Sequence, residues 1–412
     1  MYNTVFYLII GIFLFDYLVE LYLNYLNGKQ RELPLPKELQ GVYDDQKLKK
    51  AIEYDKTNVK FETLTGSFNT LLILLMFFAG GFALVDQWAG NYTENMIFKG
   101  LIFFGILGFA SDIINTPFSI YHTFVIEERF GFNKTTPKTF ILDKIKGWVL
   151  SAILGGLIMG LVIWFYYENM TYFWLYAWGL VTLFMIFFSM FYSNLIVPLF
   201  NKQTPLEEGE LKEAINQFAE KQNFKLSNIY TIDGSKRSTK ANAYFSGLGA
   251  KKRIVLYDTL INDLSTSEIV AVIAHEIGHY KHKHTYKSMV ISVIQTGFTL
   301  YILSLLVSNP ALSEALGVNQ PSFHIGVIAF GILYSPISTI MGLGLNVLSR
   351  KFEYQADEFA TVNSDSDSLI SSLKKLSVNN LSNLNPHPWY VFFHYSHPTL
   401  LQRIRGMKKI SK

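Results

Sequence analysis

The sequence predicts an all-α polytopic membrane protein with a small α+β segment on one side of the bilayer, and three observations lead to this fold class. Half of the 412 residues are hydrophobic and the mean hydropathy is +0.22, which is too apolar for an ordinary soluble protein of this size. Seven stretches are long and apolar enough to span a bilayer. The longest polar segment mixes helical and strand patterns.

The seven apolar stretches are separated by polar or Pro/Gly/Asn-containing segments. A helix needs about 20 apolar residues to cross the hydrocarbon core. The first stretch has no basic region before it and is too long for a cleavable signal, so it is expected to remain as an anchor. The stretches run approximately over residues 4–26, 66–88, 97–121, 145–167, 171–197, 286–308 and 322–348.

Lysine and arginine residues are distributed unevenly among the connecting segments. Eight lie between the first and second stretches, and the loops near 89–96, 168–170 and 309–321 contain none. Short positively charged loops tend to stay cytoplasmic. The amino terminus is therefore expected outside or in the lumen, with residues 198–285 and the tail after 349 on the cytoplasmic side.

The polar segment 198–285 is expected to hold a helix and a small sheet. Residues 207–222 have the periodicity of an amphipathic helix. Runs rich in β-branched and aromatic residues predict strands, with Gly249, Ala250 and Lys251 as a turn. The predicted strands are 228–232, 242–248 and 253–261.

Charge and cysteine content exclude several functions. The net charge of +4 is dispersed, and no dense basic block of the kind that nucleic-acid binding needs is present. The chain has no cysteine, which excludes disulfide scaffolds, thiolate zinc sites and cysteine nucleophiles. Any metal must be bound by His, Asp or Glu.

The helix that follows the predicted sheet contains an HExxH motif. Ser265 and Glu268 form a capping-box pattern at its start. His275 and His279 are four residues apart, so their rings lie on one helix face and can share a tetrahedral zinc ion. Glu276 is one position further round, where it can activate a zinc-bound water without binding the metal. The motif predicts a zinc peptidase.

A competing interpretation is a solvated helix surface on which His282 and His284 continue a basic run. A catalytic zinc ion, however, needs a third protein ligand and an open position. Position 285, where a metzincin would place its third histidine, is Thr285, so the ligand must come from elsewhere.

Glu353 is the better candidate for that third ligand. It follows the seventh apolar stretch on the same side as HExxH, and Asp357 stands one turn later, where it can orient a metal-bound histidine. A solvated helix face with ion pairs to Arg350 and Lys351 is the alternative. On the first interpretation the chain divides into spans one to five, a protease segment, spans six and seven, and a segment that completes the zinc site and the substrate cleft. These parts are 1–197, 198–285, 286–348 and 349–412.

Five motifs occur in order between the third stretch and the carboxyl end. They are FVIEERFGFN (124–133), NAYF (242–245), HEIGH (275–279), EYQAD (353–357) and SHPTLLQRI (396–404). Together they resemble the type I CAAX prenyl endopeptidases, membrane zinc peptidases that combine HExxH with a downstream glutamate. Several motifs in this order are far more specific than HExxH alone.

The resemblance implies a fold and a ligand set. Seven transmembrane helices would form a barrel around a water-filled intramembrane chamber, with the active site facing inward near the cytoplasmic side. One zinc ion per chain would be bound by His275, His279 and Glu353. Glu276 would be the general base, and Asp357 would orient a ligand.

The resemblance also implies residues that contact substrate. Asn242 would lie beside the cleft, where the edge strand 242–246 can pair with a substrate backbone. His397 and Arg403 match family positions that contact substrate and help to stabilise the oxyanion. Without the resemblance, a lone histidine and arginine in a tail would be read as surface residues.

Substrates of this family end in a prenylated cysteine followed by three residues, which cleavage releases. A quality-control protease acting on unprenylated or misfolded membrane proteins is an alternative. A transporter, suggested by seven spans and by interior acids such as Asp112, would leave HEIGH and EYQAD unexplained. The expected location is the cytoplasmic membrane of a prokaryote or the endoplasmic reticulum membrane of a eukaryote.

Overall fold

The structure is a computed structural model that describes residues 2–224, 229–247 and 253–410. Helices make up most of the first half of the chain. Their bounds are α1 Thr4–Arg31, α2 Asp45–Phe78, α3 Gly81–Tyr92, α4 Met96–Tyr121, α5 Glu128–Phe130, α6 Pro137–Leu150, α7 Gly156–Glu168, α8 Phe173–Leu195 and α9 Val197–Phe200. Two π-helical turns, His122–Glu127 and Ser151–Gly155, join α4 to α5 and α6 to α7.

The second half of the chain contains the sheet and the remaining helices. The strands are β1 Gln203–Pro205, β2 Ile229–Ile232, β3 Ala243–Ser246 and β4 Arg253–Tyr257. The helices are α10 Glu210–Lys221, α11 Asp258–Asp263, α12 Thr266–Lys281, α13 His284–Leu306, α14 Pro310–Ala315, α15 Phe323–Leu333, α16 Ser335–Asn363, α17 Ser366–Asn379, α18 Pro388–His394 and α19 Leu400–Ile410.

The number of membrane spans agrees with the sequence. Within the described residues, six helical segments are long and apolar enough to cross a membrane, and α15 with α16 gives a seventh when this pair, bent by 56°, is counted as one span. The bend interrupts the predicted stretch 322–348 at Tyr334. Pro336 follows at the start of α16 and has no N–H to continue the helical hydrogen bonding, which accounts for the break.

The predicted second stretch, 66–88, is wrong as a single span. Helix α2 ends at Phe78, and Gly80 adopts φ +67, a left-handed conformation that stops the helix before α3 begins. The second span is therefore the apolar end of α2, whose polar start extends beyond the membrane. The sequence stays apolar on both sides of Gly80, and hydropathy carries no information about backbone conformation.

The spans form a closed ring. Helix α1 packs on α2, α4 on α7, α7 on α8, α8 on α13 and α13 on α15, which returns to α1. Asn69 Nδ2 donates to Asn115 Oδ1 at 3.0 Å and joins α2 to α4. At most 11% of the most apolar window of each of the six long segments is buried, as expected when one helix face meets lipid and another lines a hollow. The predicted seven-helix barrel is confirmed.

Helix α15 is packed tightly against its neighbours in the ring. Phe323, Ile325 and Ala329 on this helix are buried, and the helix contacts α1, α4 and α13. Asp86 Oδ1 lies 2.6 Å from His324 Nε2 and 2.9 Å from Lys99 Nζ. The first residues of α13 and the last turns of α16 lead to the protease segment.

The acidic residue that suggested a transporter has partners. Asp112 accepts hydrogen bonds from Lys144 Nζ at 2.7 and 2.8 Å and from Trp148 Nε1 at 2.9 Å. These contacts join α4 to α6. The carboxylate of Asp112 therefore contributes to helix packing. Its position in a span is explained without a role in transport.

The sheet has the strand order β1-β2-β4-β3, with β2 and β4 parallel and the outer pairs antiparallel. Ile254, Val255 and Leu256 of the inner strand β4 are fully buried. Strand β3 is at the edge, as predicted. β1 was not predicted, and the predicted turn at 249–251 lies outside the described residues.

The predicted strand 253–261 is too long. β4 ends at Tyr257, and α11 begins at Asp258, whose carboxylate accepts hydrogen bonds from the backbone N–H groups of Ser235 and Thr259 at 2.9 and 2.8 Å. These bonds turn the chain out of the sheet. The apolar residues Leu260 and Ile261 match a strand pattern but belong to α11.

Helix α12 lies at the centre of the extramembrane segment. It packs against α10, α16 and α17, with Ile269, Ile273 and Ile277 buried. The predicted amphipathic helix is present as α10 and directs Ile215 into the same core. The helix that carries HExxH is therefore held on several sides.

Glu268 anchors the first turn of α12. The predicted capping box is present, with Ser265 N donating to Glu268 Oε2 at 2.8 Å. Lys375 Nζ and Ser371 Oγ of α17 each donate to this carboxylate at 2.7 Å. Burial alone would raise the pKa of Glu268, but the hydrogen bonds from Lys375, the Ser265 backbone and Ser371 lower it to about 2.

Glu268→Gln is expected to destabilise the protein by roughly 2 kcal/mol at neutral pH, because the folded state stabilises the ionised form of this carboxyl group. The stabilisation is complete above the ordinary carboxyl pKa of 4.5 and is lost as the pH falls towards 2. Thermal unfolding near neutral pH and near pH 3 should show the difference from wild type shrinking in acid. Glu220→Gln, on exposed α10 surface, is the control, and equal melting temperatures of wild type and Glu268→Gln at neutral pH would contradict the prediction.

Candidate metal centre

Two helices bring the candidate ligands together. Helix α12 carries His275, Glu276 and His279, while α16 continues past its membrane span to carry Glu353 and Asp357. The two helices pack extensively against each other. The third candidate ligand, Glu353, thus comes from a helix that also belongs to the membrane ring.

Gly278 allows this close approach. A Cβ atom at this position would lie 3.0 Å from Ala356 Cα and 3.1 Å from the Ala356 carbonyl oxygen. Contacts this short with backbone atoms require one helix to shift. The glycine within HEIGH therefore sets the distance between the α12 histidines and Glu353.

Gly278→Leu is expected to separate α12 from α16, to lower the free energy of unfolding by roughly 1–3 kcal/mol, and to reduce zinc binding. Thermal unfolding and metal analysis of the purified protein check both effects. Gly344→Leu on the same α16 helix is a matched control, because a Cβ there meets nothing within 4 Å. Wild-type zinc binding by Gly278→Leu would show that the helix spacing is not limiting.

Three side chains converge on one point. His275 Nε2 and His279 Nε2 are 3.1 Å apart. Glu353 Oε1 lies 3.2 Å from His279 Nε2, and Glu353 Oε2 lies 3.4 Å from His275 Nε2. His275 and Glu353 are buried, and His279 is half-buried. The donor atoms are thus grouped at the bottom of a partly enclosed site.

This donor set fits a divalent metal ion. Ligand atoms at 2.0–2.1 Å from a tetrahedral zinc ion are separated by roughly 3.3 Å, close to the distances between the three side chains. Glu353 Oε2 is buried and has no hydrogen-bond partner among the described residues. A buried carboxylate oxygen without a partner is costly, and a cation between the donors would satisfy it.

Asp357 and Arg403 support His275 from behind. Asp357 Oδ1 lies 2.9 Å from His275 Nδ1, and Arg403 binds the same carboxylate through Nε at 2.8 Å and Nη2 at 2.5 Å. Burial and the charge of Arg403 oppose protonation of His275, but the neighbouring carboxylates of Asp357 and Glu353 outweigh them and raise its pKa to about 9. The site is built to hold positive charge.

Glu276 lies in the cleft beside the donor set. The cleft has a volume of about 580 Å³ and is also lined by Tyr244 and Phe245 of the edge strand. The Glu276 side chain is half-buried, and no hydrogen bond or ion pair of its carboxylate is found in the described parts of the chain. It is available to a bound water or substrate.

Two family models together match nearly the whole chain. Residues 24–202 match the family model described as CAAX prenyl protease N-terminal, five membrane helices, and residues 205–411 match that of peptidase family M48. The chain belongs to peptidase family M48. The resemblance drawn from its five motifs is therefore confirmed, and the chain is a membrane metallopeptidase.

Relatives that align along nearly the whole chain support its membership of family M48. CAAX prenyl protease 1 homolog of Arabidopsis thaliana is 38% identical, covering 97% of this chain and 96% of the relative. CAAX prenyl protease 1 of Saccharomyces cerevisiae is 33% identical, covering 98% and 95%. The crystal structure of S. mikatae Ste24p matches with a TM-score of 0.94 and 33% identity over 99% of this chain and 100% of that one.

The other predicted residues of the M48 site border the same cleft. Asn242 lies at the start of β3, and its Oδ1 accepts from the Ala243 N–H at 2.9 Å. His397 Nε2 lies 3.4 Å from Glu353 Oε1, with 63% of its side chain exposed. Arg403 also lines the cleft, but its guanidinium is bound to Asp357, so it does more to hold a supporting carboxylate than the sequence suggested.

One member of the site was missed. His284 is buried and lies 3.0 Å from His279, between the two Nδ1 atoms. The competing interpretation of a solvated basic run is therefore wrong for this residue. The local sequence did not reveal it, because Phe352 and Gln355, which contact His284, belong to α16.

Proposed function

We propose that this chain is a zinc endopeptidase that removes the carboxyl-terminal tripeptide from prenylated CAAX proteins. The observation that carries the proposal is that three metal donors, a half-buried glutamate and an edge strand meet in one cleft beside the membrane ring. Relatives named CAAX prenyl protease 1 that align along nearly the whole chain support the substrate class.

His275, His279 and Glu353 would bind one zinc ion, leaving the fourth position open. Zinc bound there would polarise the scissile carbonyl and lower the pKa of a water molecule. Asp357 accepts a hydrogen bond from the Nδ1–H group of His275 and so would keep Nε2 directed at the metal. Arg403 holds Asp357 in place for this role.

Glu276 would move the proton. Its carboxylate takes a proton from the attacking water and then donates it to the nitrogen of the leaving amine, so no covalent enzyme intermediate is needed. His397 stands at the open side of the cleft, where it can donate to the oxyanion that develops on the carbonyl. The Nη1 atom of Arg403, 4.0 Å from Glu353, adds positive charge on the same side.

The edge strand β3 would align the substrate. Its outer side has no neighbouring strand among the described residues, and an extended peptide can add to such an edge through backbone hydrogen bonds. Asn242 at the beginning of the strand lies where it can bind the substrate end.

The protease segment is proposed to face the cytoplasm, since the positively charged loops lie on its side of the membrane. In a prokaryote this side belongs to the cytoplasmic membrane, and in a eukaryote to the endoplasmic reticulum membrane. Prenylated carboxyl termini are cytoplasmic, so this orientation brings substrate and site together.

The test compares a farnesylated CAAX peptide with its unprenylated twin, using purified full-length protein and a chelator control. We expect tripeptide release from the farnesylated peptide, loss of activity with chelator, and recovery on adding zinc. Equal cleavage of both peptides would favour the quality-control alternative. Chelator-resistant cleavage, or none of either peptide, would contradict the proposal.

A further inference from the structure

The second ligand histidine has a supporting group of its own. His284 begins α13 and is buried, with 3% of its surface exposed. Its Nδ1 atom lies 3.0 Å from Nδ1 of His279, and its Nε2 atom lies 2.9 Å from Gln355 Oε1. Gln355 belongs to α16, two residues after the ligand Glu353. The three side chains form a continuous hydrogen-bonded row.

Only one proton arrangement satisfies this row when His279 binds metal. Nε2 of His279 faces His275 and Glu353, so its proton must be on Nδ1, which donates to Nδ1 of His284. The proton of His284 is then on Nε2, which donates to the Gln355 carbonyl oxygen. Each ring thereby fixes the tautomer of the next.

The backbone and a neighbouring ring hold His284 in this position. Lys283 adopts φ +57, which interrupts the helical conformation between α12 and α13 and brings His284 back beside His279. Such a conformation is uncommon for a residue other than glycine. The His284 ring also stacks on Phe352, with centroids 4.1 Å apart and planes inclined by 12°. The imidazole ring of His284 is therefore fixed in both position and rotation.

We infer that His284 and Gln355 are positioning residues that hold His279 in its metal-binding tautomer and orientation. The inference deepens the metal centre on which the proposed function rests. Asp357 supports His275 through a carboxylate, whereas His279 is supported by two neutral groups. Residues of α16 thus support both histidines, and no third buried carboxylate is needed beside Glu353 and Asp357.

The test measures zinc affinity of the purified full-length chain by competition with a chromophoric chelator. His284→Phe keeps an aromatic ring on Phe352 but removes the acceptor, and zinc should bind about 10–100-fold more weakly. His284→Gln offers a carbonyl oxygen to His279 and should recover part of that affinity. His394→Gln is the matched control: it makes the same chemical change at an exposed histidine of α18 that lies outside the cleft, and zinc affinity should stay at the wild-type value.

Two further readouts separate positioning from general stability. The metal-free His284→Phe protein should melt at the wild-type temperature, while its cobalt-loaded form should show shifted d–d bands because His279 is reoriented. If metal-free His284→Phe is unstable, Gln355→Met decides the matter: it removes only the distal acceptor and should still weaken zinc binding severalfold.

Wild-type zinc affinity in a folded His284→Phe protein, or in Gln355→Met where His284→Phe is unstable, would overturn the inference. This readout needs no substrate, so failure of the chain to cleave a prenylated peptide leaves it standing. A wild-type chain that binds no zinc would instead overturn the proposed metal centre itself.

Discussion

Glu276→Gln is expected to lower kcat/KM by roughly 10²–10⁴-fold while zinc remains bound. Glutamine is close in size but cannot accept the proton of the attacking water or pass it to the leaving amine. The Glu276 side chain reaches the cleft from the same helix as the two histidines, so its replacement leaves the donor set intact. Peptide cleavage and metal analysis of the same preparation check both parts.

Glu358→Gln is the control for this experiment, because Glu358 is exposed on α16 and lies outside the cleft. We expect wild-type activity and zinc content from it. Activity within a few-fold of wild type in Glu276→Gln would exclude this carboxylate as the proton carrier. Loss of zinc from Glu276→Gln would place the residue among the ligands, contrary to the geometry.

Glu353→Gln should lose zinc and activity together. Loss of a supporting partner typically weakens metal binding 10–100-fold, so replacing a direct anionic donor by an amide should exceed about 100-fold. Both oxygens of Glu353 face the histidines, at 3.2 and 3.4 Å from the two Nε2 atoms. Chelator competition measures the affinity, and cleavage at saturating zinc tests whether added metal restores activity.

The two glutamates are thus distinguished by what accompanies the loss of activity. Glu276→Gln should be inactive with zinc bound, and Glu353→Gln inactive because zinc is missing. Glu358→Gln serves as control for both, since it makes the same chemical change five residues beyond Glu353 on the same helix. Wild-type zinc affinity in Glu353→Gln would remove this residue from the ligand set.

The local part of the site could be predicted because helical geometry alone determines it. His275, Glu276 and His279 are related by spacing on one helix, and the capping box marks where that helix begins. Glu353 required one further step, that the seventh span extends past the membrane as a helix. The bend at Tyr334 leaves this step intact because it lies before the extension.

Other features depend on contacts between distant segments. Arg403 lies 46 residues from Asp357 in the sequence, and nothing in its own surroundings indicates a buried ion pair. His284 resembles a solvated residue until Phe352 and Gln355 cover it. Gly80 is a different case: it ends α2 through its own backbone conformation, which apolar composition cannot reveal.

The origin of the ligands on two kinds of helix has a consequence for biosynthesis. His275 and His279 emerge from the ribosome before α13, α15 and the membrane-crossing part of α16, whereas Glu353 follows them. With the proposed ligand set, the nascent chain lacks one metal donor until the segment after α15 has been synthesised. We therefore expect proteolytic competence only when the last span of the chain is complete.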